Sequence, residues 1–346
     1  MPSRRSLLSL LLLPGVLLLA APRVPAQPVE VKTQLGWLRN GEFAPIMVAE
    51  AKGFFTEEGI RHRILDGGPG KNPVPIVGAG QAQFGITAGG NNVFQARLAK
   101  DPVDIVAVGT LLQQGPYSFI TLANPGDPDP RPKDLEGRTI GLQADGLIFL
   151  QAFAKKHSLD LAKIKVETVQ ANPEPLLVGR VDFFSGWVTN QPYMIELEAA
   201  KPDALPRLRG KTWKAMRYGE YAVRTYSDVI FTTGKLVREN PDLVRRYLRA
   251  VARGMQYILD HPEETIQLVA GFPEQVEKPD KLTWRWKIQN AMFVSEDTKT
   301  NGLLWMNPKV WEEMMAFYRE YDQIPRVIPP VEMMTNAFLP GPNLKR

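Results

Sequence analysis

The chain has 346 residues, a formal net charge of +5 and no cysteine. Its length exceeds what one core comfortably serves and points to two domains, and the missing thiols exclude disulfides, thiolate metal sites, a cysteine nucleophile and a lipid-modified N-terminal cysteine. The basic residues are scattered and the aromatic residues follow no nucleic-acid motif, so no nucleic-acid partner is expected.

Residues 1–26, MPSRRSLLSLLLLPGVLLLAAPRVPA, read as a cleaved signal peptide, with paired arginines, an apolar run from Leu7 to Ala21 and small residues at Val24 and Ala26. That run is broken by Pro14-Gly15 and is shorter than the roughly twenty residues a spanning helix needs. Ser3-Arg4-Arg5-Ser6-Leu7-Leu8 also fits a twin-arginine signal, and the choice between that route and Sec stays open. Export without an anchor implies a periplasmic protein held behind an outer membrane. Removing Arg4, Arg5 and Arg23 with the leader brings the formal charge from +5 to +2.

Val29, Val31, Thr33 and Leu35 alternate as on a half-buried strand, and the period then turns helical at Phe43, Ile46, Met47 and Ala49. The loop between them, Gly36-Trp37-Leu38-Arg39-Asn40-Gly41-Glu42, sits where α/β sheets bind ligands. A second strand, Ile60 to Leu65, ends at Asp66-Gly67-Gly68-Pro69-Gly70. A helix starts at Asn72-Pro73, Gln83 to Thr87 form a strand, and Asn91 or Asn92 caps the next helix. Strands follow at Val103 to Leu111 and Tyr117 to Leu122. The proline-rich run Asn124 to Pro132 cannot continue either regular structure and marks a domain crossing. Beyond it come a strand at Arg138 to Leu142, a helix at Leu147 to His157, a strand at Ile164 to Val169, a short helix at Pro175 to Gly179 and a strand at Val181 to Ser185. This series ends near Tyr221. The rest is helical, at Asp242 to Leu259, Glu263 to Val269, Lys278 to Phe293, Lys309 to Tyr321 and Val331 to Phe338. The expected division is therefore 27–123 with 223–346 in one lobe and 124–222 in the other.

One internal echo supports two similar lobes. Gly80-Gln81-Ala82-Gln83-Phe84 resembles Gly179-Arg180-Val181-Asp182-Phe183, and each strand runs on to an asparagine, Asn91 or Asn190, placed to start a helix. Equivalent strand ends would then face each other across a cleft.

Enzyme signatures are mostly absent. His62, His157 and His261 lack metal-ligand spacing, there is no HExxH or GxSxG pattern, and no metal is expected. The Gly67 to Asn72 loop fails as a phosphate cradle because Leu65 stands where the first glycine belongs and Asn72 where a Ser or Thr would hold a metal. What remains is a set of aromatic and amide side chains at strand ends. Trp37, Asn40, Glu42 and Phe43 come from the first loop, with Gly68 in the turn beside it. Thr87, Gly89 and Asn91 come from the first echo and Trp187, Asn190 and Gln191 from the second. Tyr218, Tyr221 and Tyr226 fall at the return crossing. Such a set can stack a flat ring and read its edge, although packing claims the same residue types. Trp284, Trp286, Trp305 and Trp311 have helical spacing and are expected in the core. Stacking adds only ~0.5–1.5 kcal/mol per aromatic pair, so micromolar binding, at about 8 kcal/mol, requires enclosure by two closing lobes.

The first-loop stretch QLGWLRNGEFAPIMVAEAKGFFTEEGI, the GGPG turn, the GAGQAQFGIT strand entry and Asp134-Leu135-Glu136-Gly137-Arg138-Thr139-Ile140-Gly141 together resemble ABC-transporter solute-binding proteins. The branch includes binders of thiamine pyrimidine precursors and riboflavin, with sulfonate, taurine and nitrate binders as relatives. The resemblance covers most of the mature chain up to about Thr233. It implies an α/β type II periplasmic-binding-protein fold, no cofactor, a monomer, and delivery of a small-molecule ligand to a membrane permease and ATPase. The same fold family contains enzymes that build the thiamine pyrimidine from a lysine-bound pyridoxal phosphate and a histidine of their own. Thr87 and Asn91 stand at those two positions here, and the cysteine-rich motif is missing, so a binding protein and not an enzyme is implied. Within the family, Glu42 suits a nitrogen heterocycle with N–H donors and would repel a sulfonate or nitrate. An aromatic carboxylate stays open if Arg39 faces inward.

Overall fold

A computed structural model describes residues 27–143 and 146–344, so the leader expected over 1–26 lies outside the described residues. The strands, in chain order, are β1 (Val29–Gln34), β2 (Ile60–Leu65), β3 (Phe84–Thr87), β4 (Ile105–Leu112), β5 (Tyr117–Ala123), β6 (Thr139–Leu142), β7 (Lys165–Thr168), β8 (Phe183–Trp187), β9 (Thr212–Arg217) and β10 (Ser227–Thr233). They form two five-stranded sheets, β2-β1-β3-β10-β4 and β7-β6-β8-β5-β9. In the first, β1 runs parallel to β2 and β3, while β10 lies antiparallel between β3 and β4. The second repeats this arrangement, with β6 parallel to β7 and β8, and β5 antiparallel between β8 and β9. The echoed segments enter β3 and β8, which hold the same central place in the two sheets. Among the described residues no helix is long and apolar enough to cross a membrane.

The crossings lie elsewhere than expected. Strand β5 pairs with β8 and β9, which puts Tyr117–Ala123 in the second lobe and moves the first crossing from the proline-rich run to Gln113–Pro116. The 124–132 run is instead a surface excursion, tied down by Lys211 on Asn124 Oδ1 at 2.6 Å and Lys214 on Asp129 at 2.9 Å. The return crossing runs through residues 222–226, and the two connections lie side by side: Gly115 N–H donates to Thr225 O at 2.7 Å. A Cβ on Gly115 would stand 2.4 Å from Thr225 Oγ1, so a larger residue there would force the Thr225 hydroxyl to turn aside. Strands β9 and β10 carry no clean alternation and are missed in the sequence. Strand β10 is buried almost throughout, so its residues read as a continuous apolar and hydroxyl run.

Four of the expected C-terminal helices form, as Pro241–Asp260, Pro262–Ala270, Pro279–Met292 and Pro308–Glu320, each opened by a proline whose missing N–H costs nothing at a helix start. The fifth does not. Only the short 3-10 turn Pro330–Glu332 is present. Met333 O accepts from Ala107 N–H and Ala107 O accepts from Thr335 N–H, both at 2.9 Å, so this segment covers the edge of β4 instead of coiling. The helix after β3 also differs. It starts at Asn91 behind Gly90, and neither Asn91 nor Asn92 caps it.

A polar cluster lies against the first sheet, with the His62 ring buried and Glu50 partly open to solvent. His62 Nδ1 meets Glu50 at 2.8 Å, its Nε2 meets Thr33 Oγ1 at 2.8 Å, and Thr33 also bonds Tyr247. Burial pushes the His62 pKa below 6.5 against the opposing pull of Glu50. The native state therefore holds this ring neutral, and its contribution to stability is lost as pH falls below 6.5 and the unfolded chain takes up the proton. In urea titrations the stability gap between wild type and His62→Gln should narrow on acidification below that value; a constant gap would show that His62 does not titrate differently on folding.

Candidate functional site

Between the lobes lies a cleft of about 230 Å³. Its lining comes from Gly36, Trp37, Asn40, Glu42, Phe43, Ala88, Asp228 and Arg285 of the first lobe and from Gln143, Ala171, Trp187, Thr189, Asn190 and Gln191 of the second. Ala88 and Gln143 directly follow β3 and β6, and Gly36 and Thr189 stand just past β1 and β8, so the walls are built from strand ends of both sheets.

The first loop is held in shape from within and from behind. Asn40 is extended, and its Oδ1 accepts from Glu42 N–H at 2.8 Å, capping the 3-10 turn Gly41–Phe43 before the helix Ala44–Ala51. Behind it stands the Pro279–Met292 helix. Gly41 N–H donates to Glu277 Oε2 at 3.0 Å, and Gln289 Nε2 donates to Gly41 O at 2.8 Å. Glu277 in turn holds Arg285 through two hydrogen bonds and Lys281 through one contact at 2.8 Å. Burial raises the Glu277 pKa, but the charge and hydrogen bonds of Arg285, with help from Lys281, override it and leave the carboxyl at about 2.

Glu42 and Asp228 are a second pair of acids, facing the cleft. Burial raises both, the neighbouring Glu42 raises Asp228 further, and Arg285 lowers both without restoring ordinary values. Asp228 has φ +54 and lies in β10 between Ser227 and Val229, which pair with Leu112 and Thr110 of β4. A left-handed non-glycine residue inside a strand is uncommon, and aspartate is among those that tolerate it.

The expected residues divide into two groups. Trp37, Asn40, Glu42, Phe43, Trp187, Asn190 and Gln191 line the cleft. Trp37 is 41% exposed, as an aromatic face waiting for a partner would be. Gln191, by contrast, spends both amide ends on backbone, accepting from Trp187 N–H at 2.7 Å and donating to Ala171 O at 3.0 Å. It shapes the wall and offers a ligand little.

Thr87, Gly89, Asn91, Gly68, Tyr218 and Tyr221 do not reach the lining. Thr87 is buried one residue before Ala88, and Gly89 and Asn91 turn towards each other, a Cβ on Gly89 meeting Asn91 Oδ1 at 2.6 Å. Gly68 supports the loop from outside, facing Leu38. Tyr218 is wholly buried, stacked on Phe149 with centroids 4.5 Å apart, and Tyr221 packs on Phe153. Tyr226 is also in the core, its hydroxyl accepting from Asn307 N–H. These tyrosines join the hinge to the core because the return crossing lies behind the cleft. Arg39 is buried too, but it is ion-paired to Asp66 at 2.8 Å and Glu274 at 3.0 Å, outside the lining.

Among the four C-terminal tryptophans, Trp286 and Trp311 are core residues, whereas Trp284 is half-buried at the rim, against Tyr193 and Trp213 of the second lobe. Beside it Tyr193 donates to Asp280 at 2.5 Å and Lys281 to Asn190 Oδ1 at 2.8 Å, so one helix of the first lobe meets the second across the cleft mouth. Gln143, Asp228 and Arg285 are lining residues missed in the sequence. Gln143 could be found by carrying the strand-end rule to β6. Asp228 and Arg285 have no such signal, one lying in an unrecognised strand and the other in a helix that reads as core.

A family model described as NMT1/THI5 like matches residues 40–265. The chain is similar to a riboflavin-binding protein, RibY, of Chloroflexus aurantiacus, with 27% identity over 334 residues covering 93% of this chain and 90% of that protein. It is equally similar, at 27% identity over 250 residues, to a 4-amino-5-hydroxymethyl-2-methylpyrimidine phosphate synthase of Legionella pneumophila, covering 71% of this chain and 74% of that one. Among solved structures, the periplasmic aliphatic sulphonate binding protein SsuA of Escherichia coli superposes with a TM-score of 0.63 at 12% identity, over 89% of this chain and 92% of that one. The superposition shows the fold, the two-lobed α/β periplasmic-binding-protein arrangement.

Proposed function

The chain belongs to the NMT1/THI5-like family, and from that premise we propose that it is the exported solute-binding protein of an ABC importer, capturing a small nitrogen heterocycle and handing it to a membrane permease and ATPase. The observation that carries the ligand class is the charge of the cleft. Glu42 and Asp228 face it as acceptors, while the one cationic side chain in its described lining, Arg285, is already held by Glu277. A sulfonate or nitrate would meet acids and no free cation, at a site where desolvation strengthens the repulsion. A flat heterocycle instead finds Trp37 and Trp187 for its faces and acceptors for its N–H groups.

The volume supports a modest ligand. About 230 Å³ is below the ~300–1,000 Å³ usual for small-molecule sites, which suits one pyrimidine ring as it stands and a flavin with the rim opened. Likeness to a riboflavin-binding protein and to a synthase of a thiamine pyrimidine agrees with that class. Capture without chemistry is supported by Thr87 and Asn91, neither of which can form a Schiff base with pyridoxal phosphate or supply an imidazole, the parts that the resemblance gives to the lysine and histidine of the synthases.

A thermal-shift screen of pyrimidines, flavins, sulfonates and aromatic acids tests the proposal. Stabilisation by an N–H heterocycle is expected, and stabilisation by sulfonates alone would sink it. Trp37→Ala should weaken binding about tenfold, from lost stacking and area, with little change in melting temperature because the ring is already 41% exposed. A lower melting temperature with unchanged affinity would assign Trp37 to packing.

A further inference from the structure

The two acids of the cleft are placed to do more than accept from any N–H group that reaches them. Glu42 from the first loop and Asp228 from β10 are 7% and 1% exposed, and both line the cleft. Burial raises both carboxyls above their ordinary range, and the neighbouring Glu42 raises Asp228 further, which favours a proton on the pair. Asp228 Oδ2 has no hydrogen-bond partner among the described residues. A buried acceptor left unpaired is costly, and Arg285, the nearest cation, does not relieve it because Glu277 takes two of its N–H groups.

We propose that Asp228 is a ligand-binding residue, and that with Glu42 it forms a proton-sharing carboxyl pair that reads the edge of the bound heterocycle where an N–H donor stands beside an acceptor. The inference rests on the reading of the cleft as a heterocycle site. The ligand N–H donates to Asp228 Oδ2, and the O–H of the pair turns from the partner carboxylate to donate to the neighbouring ring nitrogen or carbonyl, so that one hydrogen bond is exchanged for another. An aminopyrimidine and the imide edge of a flavin both present this pattern. An oxyanion presents acceptors only, and leaves the acceptor oxygen of Asp228 facing another negative charge.

The test uses Asp228→Asn in the mature chain, since asparagine has the same shape and tolerates a left-handed backbone. Calorimetry with riboflavin and with 4-amino-2-methylpyrimidine is compared with 3-methylriboflavin and 4-dimethylamino-2-methylpyrimidine, which lack the N–H, and with benzenesulfonate. Wild type should bind at least one N–H probe, lose ~10-fold or more on its methylation, and lose as much on Asp228→Asn, with the two changes not adding. The unliganded variant should melt no lower than wild type, because a buried unpaired acid has gone. If the variant binds the N–H probe like wild type, or if methylation leaves wild-type affinity unchanged, the carboxyl pair is not the reader and the heterocycle reading alone survives. Wild-type binding of benzenesulfonate alone, or of no probe, overturns both.

Discussion

Glu277→Gln is expected to cost about 3 kcal/mol of stability at neutral pH, although glutamine matches glutamate in shape and can still accept from Gly41. The loss comes from charge. Arg285 is buried with Glu277 as its ionic partner, the two joined by an Nε–Oε2 bond of 3.0 Å and a second of 2.5 Å. Removing one member of a buried pair leaves the other uncompensated, at a cost of about 3–5 kcal/mol. The lower end applies here because Glu42 and Asp228 stand near enough for Arg285 to lower both, and either can ionise to accept it. The pH dependence gives the sign. Glu277 falls from 4.5 to about 2 on folding, so its contribution is full above 4.5 and is lost as pH drops through 2. Urea titrations at pH 7 and near pH 3 should therefore show the gap between wild type and Glu277→Gln shrinking at the lower pH. A gap that is small at pH 7 or widens with acid would refute the ion-pair account. Ligand affinity should fall as well, since an unpaired Arg285 would draw on the acids that face the cleft.

Local pattern showed the parallel strands and the first loop, because a half-buried strand and an amphipathic helix each leave a period in the sequence. The echo of Gly80-Gln81-Ala82-Gln83-Phe84 in Gly179-Arg180-Val181-Asp182-Phe183 located equivalent strands, and with them Trp187 and Asn190. Less visible was anything made by chain reversal. Strands β5 and β10 each leave one lobe and enter the other antiparallel, and nothing in Tyr117–Ala123 or Ser227–Thr233 says which sheet receives them. Misplacing β5 put the crossing at the proline-rich run, and leaving β10 unread hid Asp228. Arg285 was hidden for another reason. Its helix has almost no amphipathic signal, as it packs on the first loop, the core and the second lobe at once.

The C-terminal helices, which read only as core, thus position the site, and Gly254 shows how tightly. A helix-interior Gly→Ala change usually stabilises by about 0.5–1 kcal/mol, through reduced freedom of the unfolded chain. Gly254 lies within the 20-residue helix Pro241–Asp260, where that gain would be expected. Yet a Cβ there would stand 2.2 Å from Pro45 O and 3.0 Å from both Ala49 Cβ and Ala49 N. The nearest obstacle is backbone, so no side chain can turn aside and the two helices must separate. Overpacking of this kind costs about 1–3 kcal/mol, which outweighs the entropic gain and reverses the sign. Gly254→Ala should then destabilise by about 2 kcal/mol in urea titration, while Gly219→Ala, whose Cβ would meet only Arg224 at 3.8 Å, should be near neutral. Pro45 belongs to the helix that continues the first loop, so the same displacement should move Trp37 and Glu42 and weaken ligand binding. A Gly254→Ala variant as stable as wild type would mean that the two helices part freely, and the loop would then owe its position to its own contacts, among them those of Glu277 and Gln289.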